Sequence, residues 1–315
     1  MAATEGATTS TINAVTNLED ISKILWDVSP ADTPFLSAIG KNKATATNHD
    51  WPTQELKTAA HLAAVEGEDA VPVVRDPRVR MTNHCQIVKD HAVASGTQEV
   101  VLKAGSVGSE VARSVANIMR EMKTHVEFSM IGRSEPIIVR DATTAGEMGS
   151  FDTYLIDGSY AGSGTAPTGD GSDAPIAGAG RDLDESILTA ALAGLWNQSG
   201  GNKNLLAVCG SKQRGIISTF TASSTRYVTT DNRELTASID VYDGDYHTVT
   251  VTPSRQCLAT NVFIVDKEYA KCSDLRSLQT KDLAVIGDSK RKEVLWEMTL
   301  EVSAPKAHCN IADLN

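Results

Sequence analysis

The chain is 315 residues long, enough for about two domains and a sizeable core. Forty acidic against 29 basic side chains leave a formal charge of -11, and 5% of the residues are aromatic, which argues against tight sequence-independent nucleic-acid binding and against base stacking. Five scattered cysteines without a C-x-x-C pair predict buried thiols in a reducing compartment; with no secretory leader and no long apolar run, a soluble, unsecreted chain with no membrane partner is expected.

Residues 1–16 are rich in Thr, Ala, Ser and Gly and carry one charge, so they read as an arm that orders only against something else. Asn17 then caps a predicted short helix with Ile21, Ile24, Leu25 and Val28 on one face, stopped by Pro30 and Pro34. ATATNHDWPT is predicted as a first strand and residues 79–95 as a second, single one, with Val79, Met81, Cys85, Ile87 and Val93 alternating. Between Glu55 and Val79 lie about two dozen residues with no helical or strand period, a length that is usually functional or disordered. Glu66, Glu68 and Asp69 sit near its tip, Arg75, Arg78 and Arg80 on its return, and Gly67, Pro72 and Pro77 punctuate it. Such a loop is suited to clasping a neighbouring copy of the chain; a solvated surface loop is the plainer reading.

The strongest helical period runs from Ser109 to Ile131. Val111, Val115, Ile118, Met119, Met122, Val126 and Met130 hold one face, and Glu110, Arg113, Asn117, Arg120, Lys123 and Glu127 the other. At ~1.5 Å per residue this rod is about 35 Å long, suited to be the backbone of an elongated domain.

From Ser134 to Gly180 the composition shifts to a long Gly/Ala/Ser/Pro-rich loop. Asp182-Leu-Asp-Glu185 reads as a capping box opening a helix through Leu188, Leu192, Leu195 and Trp196, closed by Gly200 and Gly201. LLAVC at 205–209 is a buried strand leading to a helix from about Ser211, and Asp243-Gly244 joins a hairpin, so residues 135 to about 275 form a predicted α/β subdomain. In the last strong segment Val294, Trp296, Met298, Leu300 and Val302 alternate with Leu295, Glu297, Thr299, Glu301 and Ser303, a long strand with one apolar face, and CNIADL ties the C-terminal end into a sheet.

No active site is legible. Cys85 and His91 are six positions apart on a predicted strand, ~20 Å, too far to share a proton. Asp240, Asp243 and Asp245 suit a turn better than a calcium loop, and Asp170 and Asp173 a solvated loop better than a cation site. There is no P-loop, no GxGxxG after a strand and no histidine pair at metal spacing, so no catalytic, cofactor or metal residues are assigned.

The order of these elements resembles the major capsid protein of tailed bacteriophages, the Hong Kong 97 type. DISKILWDVSPADTPFLSAIGK, AAVEGEDA, SGTQEVVLKAG, KQRGIISTF, DVYDGDYHTVTVTPSR and VLWEMTLEVSAPKAHCNIADL are similar to the major-head-protein subfamily, over nearly the whole chain. The resemblance implies an α+β fold. Its parts would be an N-terminal arm (1–44), an extended loop with flanking strands (45–95), a peripheral domain (96–134, spine helix 109–131), an axial domain (135–280) and a return to the peripheral domain (281–315). It implies self-assembly into hexamers and pentamers of an icosahedral head around non-specifically packaged double-stranded DNA, in a bacterial host cytoplasm, with no cofactor and no enzymatic activity. A portal, a separate scaffolding protein and a decoration or cement protein are the further partners expected. Inter-subunit contacts are expected at Glu66, Glu68, Asp69, Arg75, Arg78, Arg80, Trp26 and Phe35. The alternatives are a minor or decoration virion protein, which would usually be smaller and lack the arm and loop, and an α/β enzyme, which needs a pocket of convergent polar groups.

Overall fold

A computed structural model of the chain describes residues 30–57, 59–61, 63–69, 75–101, 108–156, 159–198, 203–220 and 241–315. The helix predicted over 17–28, which carries Trp26, lies outside the described residues, as do Gly200 and Gly201.

The described residues form an α+β structure. Its helices are α1 (Pro34–Ala38), α2 (Gly96–Val100), α3 (Glu110–Ile131), α4 (Glu185–Gln198) and α5 (Ser211–Ile217). One four-stranded sheet runs in the order β1 (Gly40–Lys43), β9 (Ala270–Asp282), β10 (Ser289–Val302), β4 (Gln86–Ser95), with β1 parallel to β9 and the other pairs antiparallel. A five-stranded sheet runs β11 (Cys309–Ile311), β8 (Val262–Val265), β5 (Asn204–Cys209), β7 (Thr248–Pro253), β6 (Val241–Asp243), with β5 and β7 parallel. A third element is the two-stranded ribbon of β2 (Asn48–Thr53) and β3 (Val79–His84).

The spine helix α3 starts where its cap predicts. Ser109 Oγ accepts the Ala112 N–H at 3.2 Å, and Glu99 on α2 accepts the Glu110 N–H at 3.0 Å, placing a carboxylate at the positive end of the helix dipole. Val111, Ile118, Met122, Val126 and Met130 are buried against the four-stranded sheet. Glu127, expected on the exposed face, is fully buried, a correction explained by its hydrogen bonds. Phe35 is also corrected: its ring packs edge-on to Phe151 at 5.6 Å inside the core and is fully buried in its own chain, so it presents no surface to a neighbour.

The single strand expected over 79–95 is two strands in different sheets. The break is Cys85, whose N–H donates to Thr47 O at 2.8 Å and leaves both ladders. Met81 faces the core from the ribbon, but in β4 the buried positions are Ala92 and Ala94, and Val79, Ile87 and Val93 are exposed.

Strand β9 begins inside the expected axial segment yet pairs with β10, while β11, in the expected return, closes the edge of the five-stranded sheet. Asp313 secures that end. In a left-handed conformation (φ 58°), its carboxylate accepts the N–H groups of Ser163 at 2.8 Å and of Gly164 and Gly178 at 2.9 Å, folding the Gly-rich loop onto the terminal residues. Two cores result, one around α3 and the four-stranded sheet, the other between α4, α5 and the five-stranded sheet.

Candidate subunit-interaction surfaces

Strand β10 is buried on both faces from Val294 to Val302. Its apolar face meets α3, as the alternation predicts; the opposite face carries Glu297, Thr299 and Glu301, and the ribbon is rooted over it. Trp51 Nε1 donates to Val302 O at 2.9 Å, and Asn83 Nδ2 to Leu300 O at 2.7 Å. Glu297 lies between Arg140 (2.9 Å) and Arg276 (2.6 Å); Glu301 accepts from Asn42 (2.8 Å) and Ser273 (3.0 Å) and pairs with His49 (3.0 Å). A polar layer thus holds the base of the ribbon, since a carboxylate removed from water needs this many donors.

Burial pushes the Glu301 carboxyl up, but hydrogen bonds from Asn42, His49, Ser303 and Ser273 outweigh it and hold the group at about 2. The folded value lies below the unfolded 4.5, so Glu301 contributes stability that is complete above pH 4.5 and lost as pH falls toward 2. Acidification from pH 7 to about 3 should therefore lower the stability of the wild type more than that of Glu301→Gln, by about 2 kcal/mol read from urea unfolding. Equal pH dependence in the two proteins would refute this.

Beyond its root the ribbon runs out into solvent. Val65 and Glu68 close a turn, with Glu68 N–H to Val65 O at 3.0 Å and the Glu68 carboxylate accepting the Val65 N–H at 3.1 Å, while Gly67 takes φ +81°. Glu66, Glu68 and Asp69 are exposed at this tip, as is Val65 at 77%, and Leu56 on the outgoing limb is 89% exposed. On the return limb Arg80 pairs with Asp50 across the ribbon and Arg78 Nε donates to Gln54 at 3.4 Å, so both staple their own limbs. Arg75 is exposed, and neither it nor the three tip carboxylates form an ion pair among the described residues.

Of the residues weighed for chemistry, Asp240 lies outside the described residues, and the cysteines, Asp170, Asp173 and Asp243 are engaged structurally. All five cysteines are buried and unpaired, and burial raises the Cys85 thiol to about 11, far from a reactive thiolate. Asp170 accepts from Ser172 and Thr168, Asp173 from Thr168, and Asp243 from Thr248 at 2.8 Å, each closing a local turn. Among the described residues no group of three or more His, Cys, Asp or Glu side chains is placed to hold a metal, and no helix is long and apolar enough to cross a membrane.

The family model of the SU10 major capsid protein matches residues 4–315. The major capsid protein of Escherichia phage Phieco32 is 27% identical over 170 residues, 48% of this chain and 48% of that protein, so the match spans about half the length of each. Among solved structures, a cyanophage A-1(L) capsid chain superposes with a TM-score of 0.68 at 11% identity, covering 97% of this chain and 99% of that one. A chain from the capsid of the native GTA particle superposes with a TM-score of 0.66 at 12% identity, covering 97% and 98%. These likenesses show a capsid fold of the Hong Kong 97 type.

Proposed function

Because the chain belongs to the SU10 major capsid protein family, we propose that its copies assemble as hexamers and pentamers into an icosahedral phage head around double-stranded DNA. The observation that carries this reading is the ribbon loop, rooted by buried hydrogen bonds on β10 and extended into solvent with unpaired charges and exposed Val65 and Leu56. A segment so built gains its contacts from a neighbour, and one contact repeated around a ring adds by avidity. Glu66, Glu68, Asp69 and Arg75 are the contact residues of this proposal, with Trp26 in the arm; Arg78 and Arg80 shape the loop itself. The acidic balance suits a container that must not adhere to DNA over its whole inner face. A separate scaffolding protein, a portal and a decoration or cement protein are its proposed partners, with assembly in the cytoplasm of a bacterial host; one structural neighbour is a satellite phage P4 procapsid that includes a size determination protein. The division into arm, extended loop, peripheral and axial domains is likewise proposed.

Electron microscopy of the purified chain, alone and co-expressed with a scaffolding partner, tests the assembly. Closed shells or sheets of hexamers are expected. A monodisperse monomer under every condition would overturn the reading.

A further inference from the structure

Where α4 meets the β6–β7 hairpin, two aromatic rings lie in the open. Trp196 on α4 and Tyr246 in the hairpin turn have ring centroids 5.3 Å apart and planes tilted by 36°, and they are 54% and 39% exposed. Trp51 and Trp296, by contrast, are buried in the other core. The exposed pair is held on rigid supports. Leu188, Leu192 and Leu195 sink α4 into the second core, and the turn is closed by Gly244 N–H to His247 O at 3.1 Å and by the Thr248 hydroxyl to Asp243 at 2.8 Å.

The surroundings of the pair are acidic. Neither α4 nor the segment 241–253 contains a Lys or Arg, whereas Asp243 and Asp245 bracket the turn and are exposed. Lys203, whose carbonyl accepts the Thr248 N–H at 2.8 Å, is the cation that adjoins the hairpin, and among the described residues it pairs with neither carboxylate. An aromatic face carries partial negative charge, so stacked rings beside carboxylates select a cation. A guanidinium suits them best, since it lies flat on an indole while its N–H fork reaches a carboxylate; an ammonium is a compact, strongly hydrated charge with no plane to stack. The patch is also small. Two rings and two carboxylates fall far short of the roughly 800 Å² per partner that a stable interface between whole subunits buries, which suits a short segment.

We propose that the Trp196–Tyr246 platform docks an arginine-bearing segment of a partner protein, one guanidinium stacking on the open indole face with Asp243 and Asp245 as its counter-charges. The site goes beyond the assembly reading and does not depend on how copies of the chain meet one another.

Fluorescence anisotropy of a labelled tetra-arginine peptide on the purified full-length chain tests it, with a tetra-lysine peptide of equal charge as the comparison. The arginine peptide should bind about fivefold more tightly, the size of one exposed cation–π contact. Trp196→Leu should erase that preference, bringing the arginine peptide to the level of the lysine one. Asp243→Asn/Asp245→Asn should instead weaken both peptides and flatten their salt dependence. Circular dichroism checks that these exposed substitutions leave the fold intact. Equal affinity for the two peptides, no binding of either, or a preference that survives Trp196→Leu would overturn the assignment. So would a Trp196→Leu chain whose self-association changes while its peptide binding does not, since the rings would then face another copy. Each readout is taken whether or not shells form, so its failure leaves the assembly reading standing.

Discussion

Replacing Glu297 by alanine is expected to lower the unfolding free energy by about 3–5 kcal/mol, the usual cost of removing one member of a buried ion pair. Glu297 is 3% exposed and is bonded to two guanidinium groups, Arg140 at 2.9 Å and Arg276 at 2.6 Å. The Arg140 and Arg276 side chains are 30% and 40% exposed and recover water when the carboxylate goes, which holds the loss to the lower end of that range. The damage should also travel. Arg140 Nε donates to His84 Nε2 at 3.0 Å, which leaves His84 Nδ1–H to donate to Asn48 Oδ1 at 2.6 Å, so one chain of hydrogen bonds links β10 to both strands of the ribbon. Burial and the neighbouring Arg140 charge keep the His84 ring below its usual value, favouring the neutral form this chain needs. Urea unfolding together with hydrogen exchange of the β2 and β3 amides provides the check. A destabilised protein whose ribbon amides exchange as slowly as in the wild type would show that the network is structural but local. A loss below about 1 kcal/mol would contradict the argument from burial.

Local rules were enough for the elements whose pattern is repeated along the chain. The spine helix has Ser109 as its cap and a row of Met and Val at helical spacing, and the structure shows Glu110–Ile131. The apolar alternation from Val294 to Val302 likewise marks a strand, and the loop announces itself by lacking any period. What local rules do not carry is pairing. Val79, Met81, Cys85, Ile87 and Val93 share one parity across a break they do not reveal, because the Cys85 N–H leaves the ladder for Thr47, a residue the strand pattern says nothing about. The partners of β9 and β11 are hidden for the same reason, since the strands they join are far away in sequence. The contact candidates divide similarly. An exposed acidic tip is legible from composition, whereas Phe35 looked like part of an arm because α1 is only five residues long, and the core it enters is built from distant segments. The polar face of β10 offered a signal that periodicity alone discounts: Glu297, Thr299 and Glu301 alternate with the apolar row, and the strand is too central to leave them wet.

Glu127→Ala is the second substitution expected to cost about 3 kcal/mol or more, and its reason is different, for Glu127 forms no ion pair among the described residues. One carboxylate oxygen accepts the Leu36 N–H at 3.1 Å in the first turn of α1, and the other accepts the Ser254 hydroxyl at 2.6 Å in the segment after β7. A side chain of the spine helix therefore caps a second helix and pins a loop of the five-stranded sheet, and truncation strands two buried donors and opens a cavity. Glu127→Gln separates these effects. It keeps the volume but can accept at only one of the two positions, so a loss of about 1–3 kcal/mol is expected. Burial pushes the Glu127 carboxyl up against the opposing bonds from Ser254, Leu36 and Phe35, with Asp32 adding to the rise. A folded value above the unfolded 4.5 means that this group adds stability on acidification toward pH 4.5 and withdraws it as pH rises, a slope that Glu127→Gln must lack. Chemical unfolding from pH 7 to pH 5, with exchange of the Leu36 amide followed in parallel, reads both effects. If the glutamine variant matches the wild type within about 0.5 kcal/mol and keeps Leu36 protected, the two donors have other acceptors and the three-way pin does not exist.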